Sequence, residues 1–495
     1  MRTYLSPIGS KLILFVGFLF FTLACQPITR PASDTTTGTI PTAAGTTVQA
    51  VATAGAQDPI NGAPGLDDPL YPLLGNGGYD VQHYTIALTV DVDTNTISGT
   101  TTISATALAD LAGFNLDFWG LTLGTVTVDG EVATTTRDGQ ELTITPATPL
   151  AADTDFIVTA GYSGQPQRVF DPGIPFEGAG WLYYEDIGIY VFSEPSGAMD
   201  WFPNNNHPLD KATYSFYITV PDTYTVAANG LLINIVERNG SHTYHWEASD
   251  PMASYLATIC IADFDMLVEK GPNDLPIINF FPPDRSSRLQ RNFAVTSEMI
   301  AYFSELIAPF PFESYGAIVM DAPLGGALET QTRTIFGRSA TVDMVIAHEL
   351  AHQWFGNSVS LASWRDLWLN EGFATYFQHL WTEHEKGEQV FQATMRGMHA
   401  ALRNQQLPPP ADPPLNNLFG PSVYMRGAIT LHALRLTVGD ETFFDILRTY
   451  YDRFQGGNAS TADFIAVAEE VSGEDLTEFF DAWLYGEEIP DLPVQ

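Results

Sequence analysis

Two hydrophobic rhythms divide this chain. Between residues 83 and 164, apolar and polar residues alternate in short runs: HYTIALTVDVD, ISGTTTISATAL, FNLDFWGLTLGTVTVDG, ELTITPA and DFIVTAGYSG. A period of two sends successive side chains to opposite faces of a strand, and the Gly, Asp and Asn residues between the runs mark turns. The pattern predicts an all-β domain over residues 66–265. No helical period stands out before residue 285. Beyond it, Leu289, Phe293, Ile300, Phe303 and Ile307 recur at helical spacing and read as one core helix, broken at Pro309-Phe310-Pro311-Phe312. Ala317 to Met320 reads as a short apolar strand. Further helices are expected over 370–385, 422–438, 441–454, 460–471 and 476–484, with a loop over 408–414, an N-cap at Ser460 and a stop at Gly456-Gly457. The fold class is therefore multidomain α+β: a β domain, then a mixed domain with a helical tail over residues 266–490.

The first 65 residues follow neither rhythm. Residues 1–25 carry Arg2 and Lys11, then an apolar run from Leu12 to Leu23, then Ala24-Cys25. The run is short for a membrane span and suits the core of a secretory signal. The segment resembles a bacterial lipoprotein signal in which Cys25 becomes the lipidated first residue; Thr22 stands where such signals usually carry a leucine-like residue. Residues 26–65 are rich in Thr, Ala, Gly and Pro and read as a flexible tether. Together they imply a lipid anchor on Cys25 and a bacterial cell-surface or extracytoplasmic location.

Charge narrows the class of partner. The chain carries 58 acidic and 21 basic residues, a net charge of −37, and 45% hydrophobic residues in a length of 495. Such an excess of acid argues against nucleic acid and against an anionic membrane surface as partner. Cys25 and Cys260 are the two cysteines. If Cys25 is acylated no intramolecular disulfide can form, and Cys260, in the apolar run Leu256 to Ile261, is expected to be a buried, inert thiol.

The candidate chemistry lies in VIAHELAHQWFGNSVSLASWRDLWLNEGFATYF, residues 345–377. His348, Glu349 and His352 form H-E-x-x-H, and Glu371 follows after eighteen intervening residues. Residues i and i+4 of a helix lie on one face, so His348 and His352 can both reach one cation. By itself the motif also suits an amphipathic helix with two surface histidines. The context favours a metal: Val345, His348, His352 and Phe355 share a face, Gly356-Asn357 is a helix stop, and a second helix from about Leu369 carries Glu371 in its first turn over Phe373, Tyr376 and Phe377. Three protein ligands with a fourth position left for water describe a catalytic Zn2+, one per chain, with Glu349 as general base.

HELAHQWFGN followed by DLWLNEGFATYF resembles the aminopeptidase N family of zinc metallopeptidases, which includes leukotriene hydrolase-type enzymes. GGALETQT (325–332) is similar to the family's G-A-M-E-N exopeptidase motif, and VYMRGA (423–428) to the segment bearing its catalytic tyrosine. WFPNNNHPLDKATYSFYITVP (201–221) and MASYLATICIADF (252–264) resemble its amino-terminal domain. The resemblance implies a saddle-like sheet domain followed by a thermolysin-like catalytic domain, with a cleft more open than in long members that continue into a superhelical domain. It implies Tyr424 as the hydroxyl that stabilises the oxyanion, Glu329 as the carboxylate that binds a substrate's α-ammonium, and Gly326 and Ala327 as backbone lying against the peptide. Glu194, in YVFSEPSGAMDWFP (190–203), matches a second amine-binding glutamate. Leu328 and Thr330 depart from the family's Met and Asn.

The remaining polar residues are read structurally. Asn204 to Asn206 and Asp210-Lys211 are expected as turn and ion-pair residues, and His379, His384, His399 and His432, with no partner at ligand spacing, as surface or packing residues. The expected activity is removal of the first residue from peptides with a free amino terminus. A thermolysin-like endopeptidase and an inactive, lipid-anchored peptide-binding protein are the alternatives; intact Glu349, Glu371 and Tyr424 argue against the second. Mass spectrometry of the mature amino terminus is expected to show diacyl or triacyl Cys25. Free soluble protein beginning at another residue would mean that Thr22 abolishes the signal.

Overall fold

In the computed structural model, the described residues are 59–174, 178–322 and 325–494. Cys25, the signal-like segment and the tether up to residue 58 lie outside them. The alternating runs form strands of an eight-stranded sheet with Tyr79–Asp91 near its middle, antiparallel to Thr96–Ala107 and parallel to Lys211–Pro221. Val81, Tyr84, Ile86, Leu88 and Val90 are buried, and an irregularity between Val81 and His83 accounts for the one slip in the alternation. Two four-stranded sheets complete the β part. One contains Gly180–Tyr184, Gly188–Phe192, Thr225–Ala228 and Ile259–Ala262, and it buries Cys260, whose thiol burial pushes up to about 12.

Ordered pairing begins earlier than the composition suggests. Ile60-Asn61 pairs in parallel with the strand Leu111–Asp117, inside the stretch read as tether. A two-residue strand borrows its stability from the sheet it joins, so its own composition carries little signal.

A five-stranded sheet opens the second half, with Asp265–Lys270 at one edge and Ala327–Leu328 at the other. The helix expected over 289–307 is two helices, Ser286–Phe293 and Thr296–Leu306. Their anchors differ: Phe293 packs on Phe281 and Phe336, whereas Phe303 packs on Trp354 and Phe377. The other expected helices run Trp368–Lys386, Gly427–Val438, Asp440–Phe454, Thr461–Ser472, where Ser460 and Asp463 form a capping box, and Thr477–Phe480, which continues as a π-helical turn over Asp481–Tyr485. A further helix, Glu388–Leu402, follows directly after Gly387 and went unread in the sequence. Among the described residues, no helix is long and apolar enough to cross a membrane.

The β part and the helical part share one compact unit, Gln57–Gln495. Two polar clasps join them. Asp68 accepts hydrogen bonds from His207 Nε2 (3.3 Å) on the β side and from Ser363 Oγ (2.9 Å) and Trp364 N (2.8 Å) on the helical side. Lys211 does not pair with Asp210. Its ammonium donates to the carbonyls of Asn357 (2.9 Å), Ser358 (3.0 Å) and Gly457 (3.4 Å), whereas burial pushes the Asp210 carboxyl up to about 8 and it accepts from Val81 N and Asn205 Nδ2. Neighbouring residues at the start of a strand face opposite ways, so the pair read from the sequence cannot meet. Replacing Lys211 by Met takes one donor from each of three carbonyls, which keep Ser360 Oγ on Asn357 O, Gly456 N on Ser358 O and Ser360 N on Gly457 O, and removes the link between the two parts. Chemical denaturation is expected to show a loss of about 2 kcal/mol; unchanged stability would remove Lys211 from the clasp.

Candidate metal centre and active site

The H-E-x-x-H helix spans Asp343–Ala351, with His352 as its C-cap. Gly356 turns the chain away at φ +128°, where a Cβ would lie 3.2 Å from His352 Nδ1. A side chain there would be strained by that φ and would press on the His352 ring. His352 Nδ1 lies 3.2 Å from the carbonyl of Phe355 and donates to it, which leaves Nε2 free to face the site. Trp368–Lys386 crosses this helix and presents Glu371 in its first turn.

The three candidate ligand atoms form a nearly regular triangle. His348 Nε2 is 3.2 Å from His352 Nε2 and 3.2 Å from Glu371 Oε2, and His352 Nε2 is 3.4 Å from the same oxygen. Ligands about 2.05 Å from a tetrahedral zinc are separated by about 3.3 Å, so the triangle has the dimensions of a zinc site. A proton on one imidazole could bridge only one edge of it. All three residues are buried. Burial pulls His348 below the usual histidine range. Burial also pulls on His352, but the carboxylates of Glu329 and Glu371 outweigh it and push His352 up to about 10. Glu371 is held down to about 2, because His352 and the hydrogen bonds from both imidazoles overcome its burial. The pocket's own charges thus call for a cation at the triangle.

Glu349 lies beside the triangle. Its carboxylate is within 4.8 Å of Glu329 and His352, and Oε2 is buried with no partner among the described residues. Burial first, and then Glu329 and Glu371 against the pull of His352, raise its pKa well above the carboxylate range. A carboxylate with raised proton affinity and a bare oxygen is suited to take a proton from water.

Glu329 follows the edge strand Ala327–Leu328, which is antiparallel to Thr334–Phe336. Gly326 has φ +97° and its carbonyl accepts from Gly337 N at 2.8 Å; among the described residues, no atom lies within 4 Å of where its Cβ would be. Gly326 and Ala327 therefore offer an open backbone edge, as an extended peptide requires. The Glu329 carbonyl is pinned by Gln353 Nε2 (3.1 Å) and Asn357 Nδ2 (2.7 Å), both just past the H-E-x-x-H helix. From the β side, Asn229 Nδ2 donates to Gln331 O (2.6 Å) and Gly230 N to Thr332 Oγ1 (2.7 Å). The two departures have local explanations. Leu328 packs in a small cluster with Leu182 and Phe192, and the Thr330 hydroxyl donates to Arg333 O, closing the turn.

Glu194 arrives from the β part, two residues after the strand Gly188–Phe192. It is buried, and carboxylate oxygens of Glu194, Glu329 and Glu371 lie within 4.8 Å of one another. Glu194 Oε1 and Glu329 Oε1 have no partner among the described residues. Burial and then Glu329 raise Glu194 well above the usual range, and burial raises Glu329.

Tyr424 sits in a wide π-helical turn, Ser422–Arg426, of the kind found at functional sites. Its ring lies parallel to that of His348, with centroids 6.0 Å apart and planes 10° apart. Burial, then Glu371, keeps its hydroxyl protonated and able to donate. The turn is fixed by Arg426, whose guanidinium donates to the carbonyls of Trp483 (3.0 Å) and Gly486 (2.7 Å). It is also fixed by Gly372, next to Glu371: a Cβ there would lie 3.0 Å from the Gly427 backbone.

The fold thus gathers His348, Glu349, His352, Glu371, Glu329 and Glu194 into one buried cluster with Tyr424 at its side. His379 and His432 are buried and pushed down to about 4, His379 by burial and then by His348, His432 by burial and then by Arg435; His384 pairs with Glu298, and His399 donates to Pro490 O. Asn357 reads in the sequence only as part of a helix stop and Gln353 carries no reading, yet both hold Glu329. Their i, i+4 spacing beyond His352 was the available signal.

Residues 292–483 match the Peptidase family M1 domain, and residues 80–256 the Peptidase M1 N-terminal domain. The chain is 28% identical to human (Homo sapiens) glutamyl aminopeptidase over 362 residues, 63% of this chain and 37% of that protein. It is 28% identical to aminopeptidase N of Streptomyces lividans over 336 residues, 60% of this chain and 38% of that one. The chain thus spans under two fifths of the length of these curated relatives. A crystal structure of an M1 zinc metallopeptidase from Deinococcus radiodurans, in a glutamate-to-alanine mutant bound to a Tyr-Ser-Ala substrate, superposes with a TM-score of 0.78 at 30% identity, covering 87% of this chain and 99% of that one. With both family segments present in order, and nearly the whole of a solved member matched at that identity, the chain belongs to peptidase family M1, whose solved members are zinc metallopeptidases.

Proposed function

We propose that this chain is a zinc-dependent aminopeptidase that removes the first residue from peptides with a free amino terminus. The observation that carries this reading is the pair Glu194 and Glu329: two buried carboxylates, each with an oxygen unpartnered among the described residues, beside the His348–His352–Glu371 triangle. Unpaired buried carboxylates are costly, and an α-ammonium set one residue from the scissile bond would neutralise them. The solved relative's Tyr-Ser-Ala substrate is a peptide of the kind this arrangement would hold.

The roles follow from position. Zn2+ on His348, His352 and Glu371 would supply the Lewis acid that polarises the scissile carbonyl and acidifies water. Glu349 holds a water, takes its proton and returns it to the leaving amine. Tyr424 donates a hydrogen bond from its hydroxyl to the oxygen on which negative charge develops and keeps its own proton. Glu194 and Glu329 grip the α-ammonium and so fix the register, while Gly326 and Ala327 lie along the peptide backbone. The lipid-anchored, extracytoplasmic location is part of the same proposal, supported by Ala24-Cys25 after a short apolar run.

Two sets of measurements test it, one on the metal and one on the amino terminus. Purified protein should hold about one zinc per chain, and a chelator should abolish hydrolysis. Glu349→Gln should keep the metal and lose most activity, because the ligands remain and the base does not; full activity in a metal-free preparation would end the zinc reading. Acetylating a peptide's amino terminus should nearly abolish cleavage. Glu329→Ala should lower kcat/KM on free-amine substrates by roughly ten- to a hundredfold, and Glu194→Ala by less, both with zinc retained. Internal cutting of the acetylated peptide at the rate of the free one would establish an endopeptidase instead.

A further inference from the structure

Glu194 can fix an ammonium only if its own turn is fixed. The turn leaves the strand at Phe192, and Gly197 N closes it on Ser193 O at 2.6 Å. Ser196 anchors it twice. Its carbonyl accepts from Asn206 Nδ2 at 2.8 Å, and its hydroxyl donates to Oδ2 of Asp171. Asp171 is buried at 2% exposure and lies outside the metal centre. Its other oxygen accepts from Tyr71 Oη at 2.8 Å and from Gly173 N at 2.7 Å. Tyr71 in turn belongs to the segment that begins at Asp68, whose carboxylate accepts from Tyr71 N at 3.0 Å. The same carboxylate grips Ser363 and Trp364, just before the helix that carries Glu371.

These bonds make a continuous chain from the Glu371 helix through Trp364, Asp68, Tyr71, Asp171 and Ser196 to the Glu194 turn. We infer that Asp171, acting through the Ser196 hydroxyl, is a positioning residue for Glu194, and that the Asp68–Tyr71 segment sets the separation between the amine-binding turn and the Glu371 helix. The inference rests on the amine-binding role proposed for Glu194. Asp171 touches no substrate. Its three hydrogen bonds hold a carboxylate that must meet a cation at a set distance from Glu329, where a misplacement of an ångström is costly.

Steady-state kinetics on an aminoacyl-4-nitroanilide, with zinc content and melting temperature measured in parallel, tests this. Ser196→Ala and Asp171→Asn are expected to raise KM about five- to tenfold, with kcat within about twofold of wild type. Ser196→Thr, which keeps the hydroxyl, should restore KM. In a Glu194→Ala background, Ser196→Ala should change KM by less than about 1.5-fold, because what it positions is gone. Ser196→Ala removes one hydroxyl, so it decides the question even where Asp171→Asn fails to fold. Wild-type KM in Ser196→Ala, with KM raised in Glu194→Ala, overturns the inference and leaves the amine-binding reading standing. A KM effect undiminished in the Glu194→Ala background overturns it as well, since the hydroxyl then acts on something else. Wild-type KM in Glu194→Ala removes the amine-binding role itself, and the inference falls with it.

Discussion

Burying like charge is the constraint on which this structure turns. Glu194, Glu329, Glu349 and Glu371 sit together at 3–6% exposure, with His348 and His352 as the cationic or ligating counterweight. A buried carboxylate without a partner is among the least favourable groups a fold can hold. The cluster is relieved when protons or cations enter it, and the triangle of His348, His352 and Glu371 has the spacing for a cation. A second cation, the ammonium proposed for the substrate, would answer Glu194 and Glu329. The surrounding polar groups keep these acids from drifting apart: Gln353 and Asn357 grip Glu329, Ser196 and Asp171 grip the Glu194 turn, and Lys211 and Asp68 hold the two parts of the chain together.

The sequence disclosed those parts of the fold that obey a local rule. Period-two alternation located the sheet domain, and the i, i+4 histidines with a glutamate on the next helix located the candidate ligands. Ser460 declared itself as a cap because capping is a matter of three residues. What escaped depends on contacts made far along the chain. The helix at 289–307 reads as one piece locally and divides because Phe293 and Phe303 answer to different partners. Lys211 beside Asp210 looks like an ion pair until strand geometry parts them. Asp171 and Tyr71, separated by a hundred residues in sequence, carry no mark of their meeting.

The same distinction explains the altered exopeptidase segment. Leu328 and Thr330 look like losses when set against a motif. In three dimensions Leu328 fills a small apolar cluster with residues of the β part, and Thr330 closes the turn after Glu329 on Arg333. The backbone carbonyl of Glu329 is held by groups outside the segment, so the side chains flanking it can vary while the carboxylate stays in place.

The contact between Gly372 and Gly427 sets a mechanical limit on the site. One glycine adjoins Glu371, the other lies three residues beyond Tyr424, and their backbones meet with no side chain between them. The gap between the candidate metal ligand and the candidate oxyanion donor is therefore a hard stop, without a compressible spacer. Methyl groups added there would act as a shim, moving two functional parts at once and in opposite directions. Variation in this chain has room on its loops and at the edge strand, but the seam between these two elements behaves as a fixed gauge against which the rest is set.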